Sequence, residues 1–389
     1  MMKTITAAVL LGMMLFMPHA VRASEALEAS APISISSPSV ILTEASTGQV
    51  IFEKNADERR PVASVNKVMT ILLTLEAIDE GRIALDDRVT VSARASSMGG
   101  SQVFLDAGSS YKAADLLKSV IVASANDAAV ALAEHMDGAE EVFVRRMNER
   151  AKELGLENTC YVNCTGLPAQ GHYTAARDVA KLSAQLDMHP LYYRFSTIWM
   201  DELVHPGGRK TQLTNTNRLV RFYEGCDGYK TGSTNEARYC ISATAEKNGL
   251  RLIAVVLGAG AGQTRFDEAR SMLEYGFAGY QLFCPVKEGD ALGMQVSVRL
   301  GGSDKVSAVS GGTSRTLIRK GEQSRYSLDV ALLEHVNAPV QKGDVIGEIR
   351  VMRDGQLAER IPAVAGETVE LPGMVHALTR IRDHFMLSR

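Results

Sequence analysis

Ser64 and Lys67 stand three residues apart in Pro61-Val62-Ala63-Ser64-Val65-Asn66-Lys67. Apolar Val65, Val68, Met69, Leu72 and Leu73 follow at helical spacing, and Gly81 supplies a stop. The pattern predicts an amphipathic helix that starts here. Positions i and i+3 of a helix share a face, so the hydroxyl and the amine can enter one cleft. A serine hydroxyl is a weak nucleophile until a neighbouring base takes its proton. A lysine can be that base when burial or nearby positive charge favours its neutral form. The spacing alone is cheap. Ser109-Ser110-Tyr111-Lys112 repeats it, and there it reads as a helix cap followed by a solvated first-turn lysine. What gives Ser64 weight is its company.

Two more short patterns follow in order, Ser124-Ala125-Asn126 and Lys230-Thr231-Gly232. The first falls between predicted helices over 113–122 and 127–136. The second lies on a predicted strand over 229–232, and Lys-Thr-Gly occurs once in the chain. Around these run a hairpin (40–44 and 50–53, with a turn at Ser46-Thr47-Gly48) and strands with loops over 86–112, turning at Gly99-Gly100. Further helices are expected over 140–154 and 175–186, the latter capped by Thr174. Strands are expected over 238–245 and 250–257, joined at Lys247-Asn248-Gly249, and a helix over 266–282. Beyond Pro285 apolar and polar residues alternate between Gly-rich turns at Gly301-Gly302, Gly311-Gly312, Lys342-Gly343 and Asp354-Gly355, the pattern of a small all-β domain with no catalytic cluster. Met374, Leu378, Ile381 and Phe385 then share one stripe beside Arg380 and Arg382, which fits an interfacial membrane anchor.

The 389 residues are 46% hydrophobic and 22% charged, a globular composition in a chain long enough for two domains. A net charge of -3 without a basic run argues against a nucleic-acid partner. Lys3, the apolar stretch Ala7 to Met17 and the small-residue site Val21-Arg22-Ala23 read as a cleaved secretion signal, too short to span a bilayer. The mature chain is therefore expected outside the cytoplasm, in the periplasm or cell envelope. Five cysteines in a secreted chain leave at least one unpaired. They read chiefly as small buried hydrophobes, with one disulfide left open. No metal site and no cofactor is expected. The divisions expected are a signal peptide (1–23), a flexible lead-in (24–37), a catalytic domain (38–283), a β-rich domain (284–372) and an amphipathic tail (373–389).

Ser-x-x-Lys, Ser-x-Asn and Lys-Thr-Gly in this order form the motif set of penicillin-binding proteins and class A β-lactamases. With Asp227-Gly228-Tyr229, Asn163-Cys164-Thr165-Gly166-Leu167, Thr174-Ala175-Ala176-Arg177-Asp178 and Ala338-Pro339-Val340, the chain resembles the serine D-alanyl-D-alanine carboxypeptidases, low-molecular-mass penicillin-binding proteins of the peptidase S11 type. It departs from the pattern at Ala125, where β-lactamases often carry Asp, and at Cys160 and Cys164, which replace His and Pro. The resemblance implies an α/β (α+β) penicillin-recognising serine transpeptidase/β-lactamase-like fold. That is an antiparallel sheet flanked by helices, then a small all-β C-terminal domain and a terminal amphipathic helix.

It also implies roles. Ser64 attacks the penultimate D-alanine of a peptidoglycan pentapeptide stem and is acylated by penicillins, Lys67 takes its proton, and Ser124 relays a proton to the leaving amine. Asn126 holds Lys67 or the substrate amide. Lys230 keeps Lys67 neutral by its charge and, with Thr231, binds the terminal carboxylate. Gly232 leaves room for the substrate along the strand. The N–H groups of Ser64 and Ser233 form the oxyanion hole. Arg265 is a candidate for the terminal carboxylate, with a surface salt bridge as the competing reading. Two other functions were weighed. A serine β-lactamase would need a deacylating glutamate, and no Glu-x-x-Leu-Asn lies between the second and third motifs. A non-catalytic envelope binding protein would not need every reacting side chain to be present.

Overall fold

The computed structural model describes residues 33–373; the expected secretion signal (1–23) and nearly all of the expected amphipathic tail (373–389) lie outside them. A five-stranded antiparallel sheet organises the first part. β1 (Ser39–Glu44) and β2 (Val50–Lys54) form the expected hairpin, and the Glu44 carboxylate accepts the N–H groups of Ser46 and Thr47 in its turn. β1 pairs on its other side with strand Leu250–Ala259, which pairs with Arg238–Lys247, which pairs with Cys226–Thr234. Asn248 and Gly249, both at positive φ, make the tight turn that the sequence announced. Cys226–Thr234, which carries Lys-Thr-Gly, is thus an edge strand.

The sheet has apolar residues on both faces because alternate residues point opposite ways. Val40 and Leu42 join Ile241, Leu252, Val256, Ala269 and Met272, so helix Gly262–Gly279 covers one face. Ile41, Ile253 and Val255 join the larger core built on helices Ala113–Val122, Asn126–Asp137, Glu140–Glu153 and Ala176–Gln185. At its centre runs α1 (Lys67–Asp79), which ends just before Gly81 at positive φ. α1 is not amphipathic. Its residues from Lys67 to Leu75 are all buried, so it is wrapped on every side.

Local differences from the sequence reading have local causes. Ser110–Lys112 pairs as a strand with Arg88–Thr90, so neither Ser109 nor Ser110 caps a helix. Thr174 pairs with Arg60, and its hydroxyl meets that of Thr159, so it does not cap the helix at Ala176. The helix from Gly262 stops at Gly279, because Tyr280–Phe283 is taken up in pairing with Thr316–Arg319. Helix Pro190–Ser196 and hairpin Met200–Val204/Lys210–Thr214 carry no strong periodicity and went unread. The last part is a six-stranded sheet with cores around Val296, Val306 and Ile346 and around Ile349, Ile361 and Ala363. No helix among the described residues is long and apolar enough to cross a membrane. The five cysteines are free, and Cys164, Cys226 and Cys240 are buried.

Candidate active site

Ser64 opens a single 3-10 turn, Ser64–Asn66, that runs directly into α1. In such a turn residues i and i+3 eclipse each other, which aligns the pair better than an α-helix does. Lys67 Nζ lies 3.0 Å from Ser64 Oγ. Ser64 is partly exposed and Lys67 is fully buried. The amine also donates to Asn126 Oδ1 and to the Thr165 carbonyl, each at 2.6 Å. A neutral amine has two N–H bonds and one lone pair. Two fixed acceptors take the two N–H bonds and leave the lone pair for the Ser64 hydroxyl.

Burial pulls the Lys67 pKa down to about 7, against the opposing charge of Asp127. The sequence left burial or neighbouring positive charge open as the cause, with Lys230 favouring the neutral form, and burial is the larger of the two. Lys230 is itself buried, and its pKa falls well below the ordinary value through burial first, then the charges of Lys67 and Arg265. Its Nζ donates to the Thr231 carbonyl at 3.1 Å.

Ser124 sits at φ 64°, a left-handed conformation rare for any residue with a side chain. Its Oγ is buried and has no hydrogen-bond partner. An orphaned buried hydroxyl on strained backbone costs stability, and such features cluster at functional sites. Asn126 is held hard. Its Nδ2 donates to the Gly99 carbonyl at 2.6 Å and its N–H to the Ser101 carbonyl at 2.7 Å. The neighbouring Asp127 carboxylate accepts the N–H groups of Val103 and Leu105, both at 3.1 Å, so one residue pair fixes the whole 99–105 loop.

Gly232 meets the Ser64 turn. A Cβ there would stand 2.6 Å from Ser64 N, 2.8 Å from Ala63 Cβ and 2.9 Å from Val65 N. What the missing side chain clears is therefore the backbone of Ser64 and Val65, where the sequence reading had it clear space for a substrate. Thr231 is buried and Ser233 is exposed beside this contact. Arg265 donates from Nη1 to the carbonyls of Gly232 (2.8 Å) and Cys240 (3.3 Å), and its guanidinium packs over Phe266 and Tyr239. It thus grips the Lys-Thr-Gly strand by its backbone, and among the described residues it makes no salt bridge. Burial lowers its pKa.

Comparison with known proteins decides the family. The model of D-alanyl-D-alanine carboxypeptidases, peptidase S11, matches residues 25–261, and that of the penicillin-binding protein 5 C-terminal domain matches 280–371. The chain belongs to the S11 family of D-alanyl-D-alanine carboxypeptidases. It is 37% identical to the D-alanyl-D-alanine carboxypeptidase DacF of Bacillus subtilis, over 97% of this chain and 98% of that one. It is 34% identical to DacC of Escherichia coli, over 96% and 92% of the two chains. Among solved structures it is similar to penicillin-binding protein 5 of Haemophilus influenzae, with 30% identity and a TM-score of 0.74 over 88% of this chain and all of that one. Penicillin-binding protein D2 of Listeria monocytogenes, solved in the ampicillin-bound form, is 32% identical with a TM-score of 0.54 over 64% of this chain.

Some residues of this S11 site were not singled out from the sequence. The Thr165 carbonyl carries no side-chain signal at all, and only the Asn-Cys-Thr-Gly-Leu segment around it drew notice. Gly166, at φ 81°, lets that loop approach, since a Cβ there would stand 2.2 Å from the Ala63 carbonyl oxygen. Asp127, buried directly after Asn126, was the one findable omission, because a buried carboxylate at a helix start asks for backbone N–H partners.

Proposed function

We propose that the chain is a serine D-alanyl-D-alanine carboxypeptidase that works through an acyl-enzyme on Ser64. The observation that carries this reading is the Lys67 amine, buried, pKa about 7, and held between two acceptors beside the serine oxygen. The substrate is a pentapeptide stem of peptidoglycan ending in two D-alanines. It lies along the open side of the Lys-Thr-Gly edge strand, as an added strand would. Ser64 Oγ attacks the carbonyl carbon of the penultimate residue, and the hydroxyl proton passes to the Lys67 lone pair. The oxyanion meets the N–H groups of Ser64 and Ser233, which the Gly232 contact draws together. The C–N bond then breaks, and Ser124 Oγ passes a proton to the departing amine. Water later splits the ester and releases the shortened stem. Lys230, Thr231 and Arg265 face the terminal carboxylate, and Arg265 adds a second service by fixing the Gly232 carbonyl.

Export by residues 1–23 would bring the enzyme to its substrate. The basic, apolar-striped tail would then hold it at a membrane surface. Fractionation of the full chain and of a form ending at residue 373 checks the tail. The central test is mass spectrometry after penicillin treatment together with D-alanine release from a pentapeptide. Wild-type protein should gain one penicillin mass and release D-alanine, and Ser64→Ala should do neither. Folded wild-type protein that does neither would reject the proposal.

A further inference from the structure

Lys67 owes one of its two fixed acceptors to a loop, and that loop hangs from a buried triangle of side chains. Asn66, the residue just before Lys67, donates from Nδ2 to the Asn163 carbonyl at 3.1 Å. That orientation turns its Oδ1 toward His172, whose Nε2 lies 2.9 Å away and must donate. His172 Nδ1 then faces Asn163 Nδ2 at 3.4 Å as an acceptor. Asn163 closes the figure. Its Oδ1 accepts the N–H groups of Thr165 (3.1 Å) and Gly166 (2.7 Å), and its Nδ2 donates to the Leu167 carbonyl at 2.9 Å. The Thr165 carbonyl so placed is the one 2.6 Å from Lys67 Nζ.

Asn66 and His172 are both buried, so water cannot replace either partner cheaply. Burial also pulls the His172 pKa down to about 4, which keeps the ring neutral and its donor and acceptor ends distinct through the physiological range. The ring packs edge-on to Tyr161, which is buried in its turn.

The geometry points to His172 as a positioning residue that, through Asn66 and Asn163, sets the Thr165 carbonyl and hence the direction of the Lys67 lone pair. The inference rests on the acyl-enzyme reading above. Its effect belongs in the chemical step and not in ligand binding. A displaced catalytic group can cost about a hundredfold in rate, so His172→Ala should slow acylation at saturating penicillin by about ten- to a hundredfold. The half-saturating concentration should stay within about twofold, as expected when only the transition state loses support. Glutamine can place an amide N–H where Nε2 stands, so His172→Gln should recover most of the rate. Asn66→Ala added to His172→Ala should cost little more, because both break one chain of contacts.

The experiment is stopped-flow or quenched acylation by a reporter penicillin, with the burst amplitude counting folded sites and thermal melting run beside it. A reduced amplitude with an unchanged rate per active site would show a packing role only and overturn the inference. So would a loss confined to half-saturation, or a His172→Gln variant that is folded yet as slow as His172→Ala. Failure of wild-type protein to form any Ser64 adduct would instead remove the acyl-enzyme reading itself.

Discussion

Replacing Lys67 with methionine should favour the fold most near neutral pH, and that advantage should fade as pH rises. Lys67 is fully buried, and its pKa falls from 10.5 to about 7 on folding. The unfolded chain therefore binds a proton between those values that the folded chain has already lost. Stability from this group rises with pH across that window, is level below it, and is free of penalty above 10.5. At 1.36 kcal/mol per unit, burial of this lysine costs about 5 kcal/mol at neutral pH. Methionine fills a similar volume without the charge but leaves Asn126 Oδ1 and the Thr165 carbonyl without a donor, a pH-independent loss of about 1–3 kcal/mol each. That offset does not vary with pH, so the slope isolates the lysine's charge. Denaturant unfolding of wild type and Lys67→Met at steps from about pH 7 to pH 10 should show the difference shrinking by about 1.4 kcal/mol per unit. Lys230 does not confuse the comparison, because Lys67 is neutral above its pKa and no longer acts on Lys230 by charge. A difference that stays flat, or grows with pH, would refute the claim that folding makes Lys67 neutral.

The same pKa predicts the rate. Acylation by penicillin should rise about tenfold per unit up to about pH 7 and then level off, because only the neutral amine accepts the Ser64 proton; a limb centred near 10 would contradict it. Ser124→Ala should leave the melting temperature unchanged or higher, since its Oγ has no partner to lose, while D-alanine release falls. Gly232→Ala should cost about a hundredfold or more in acylation at little change in secondary structure by circular dichroism, because the strand must retreat from Ser64 N and take an oxyanion donor with it.

The three motifs were legible because each is a side chain at fixed spacing in a chain pattern of known type. The hairpin at Ser46-Thr47-Gly48 and the turn at Asn248-Gly249 were legible for the same reason, since positive φ selects few residues. What escaped was set by the backbone or by long-range pairing. The Thr165 carbonyl has no residue signature, and the strand at Tyr280–Phe283 exists because Thr316–Arg319 meets it. The burial of α1 on every side also could not be read from one stripe of apolar residues. That burial bears on the chemistry, because of the two causes the sequence left open for Lys67's neutrality it favours the protein interior over a neighbouring charge.

This shift changes what Lys230 is free to do. A lysine needed to suppress its neighbour's charge must itself stay charged and close at all times. With burial and two fixed acceptors already preparing Lys67, that duty does not rest on Lys230. Its own pKa is pushed well below the ordinary lysine value by burial. A carboxylate arriving at the edge strand would favour its charged form and draw that pKa back up. An amidated stem, lacking that carboxylate, should therefore lose this charge-assisted contact, read as a higher half-saturating concentration than that of the free acid.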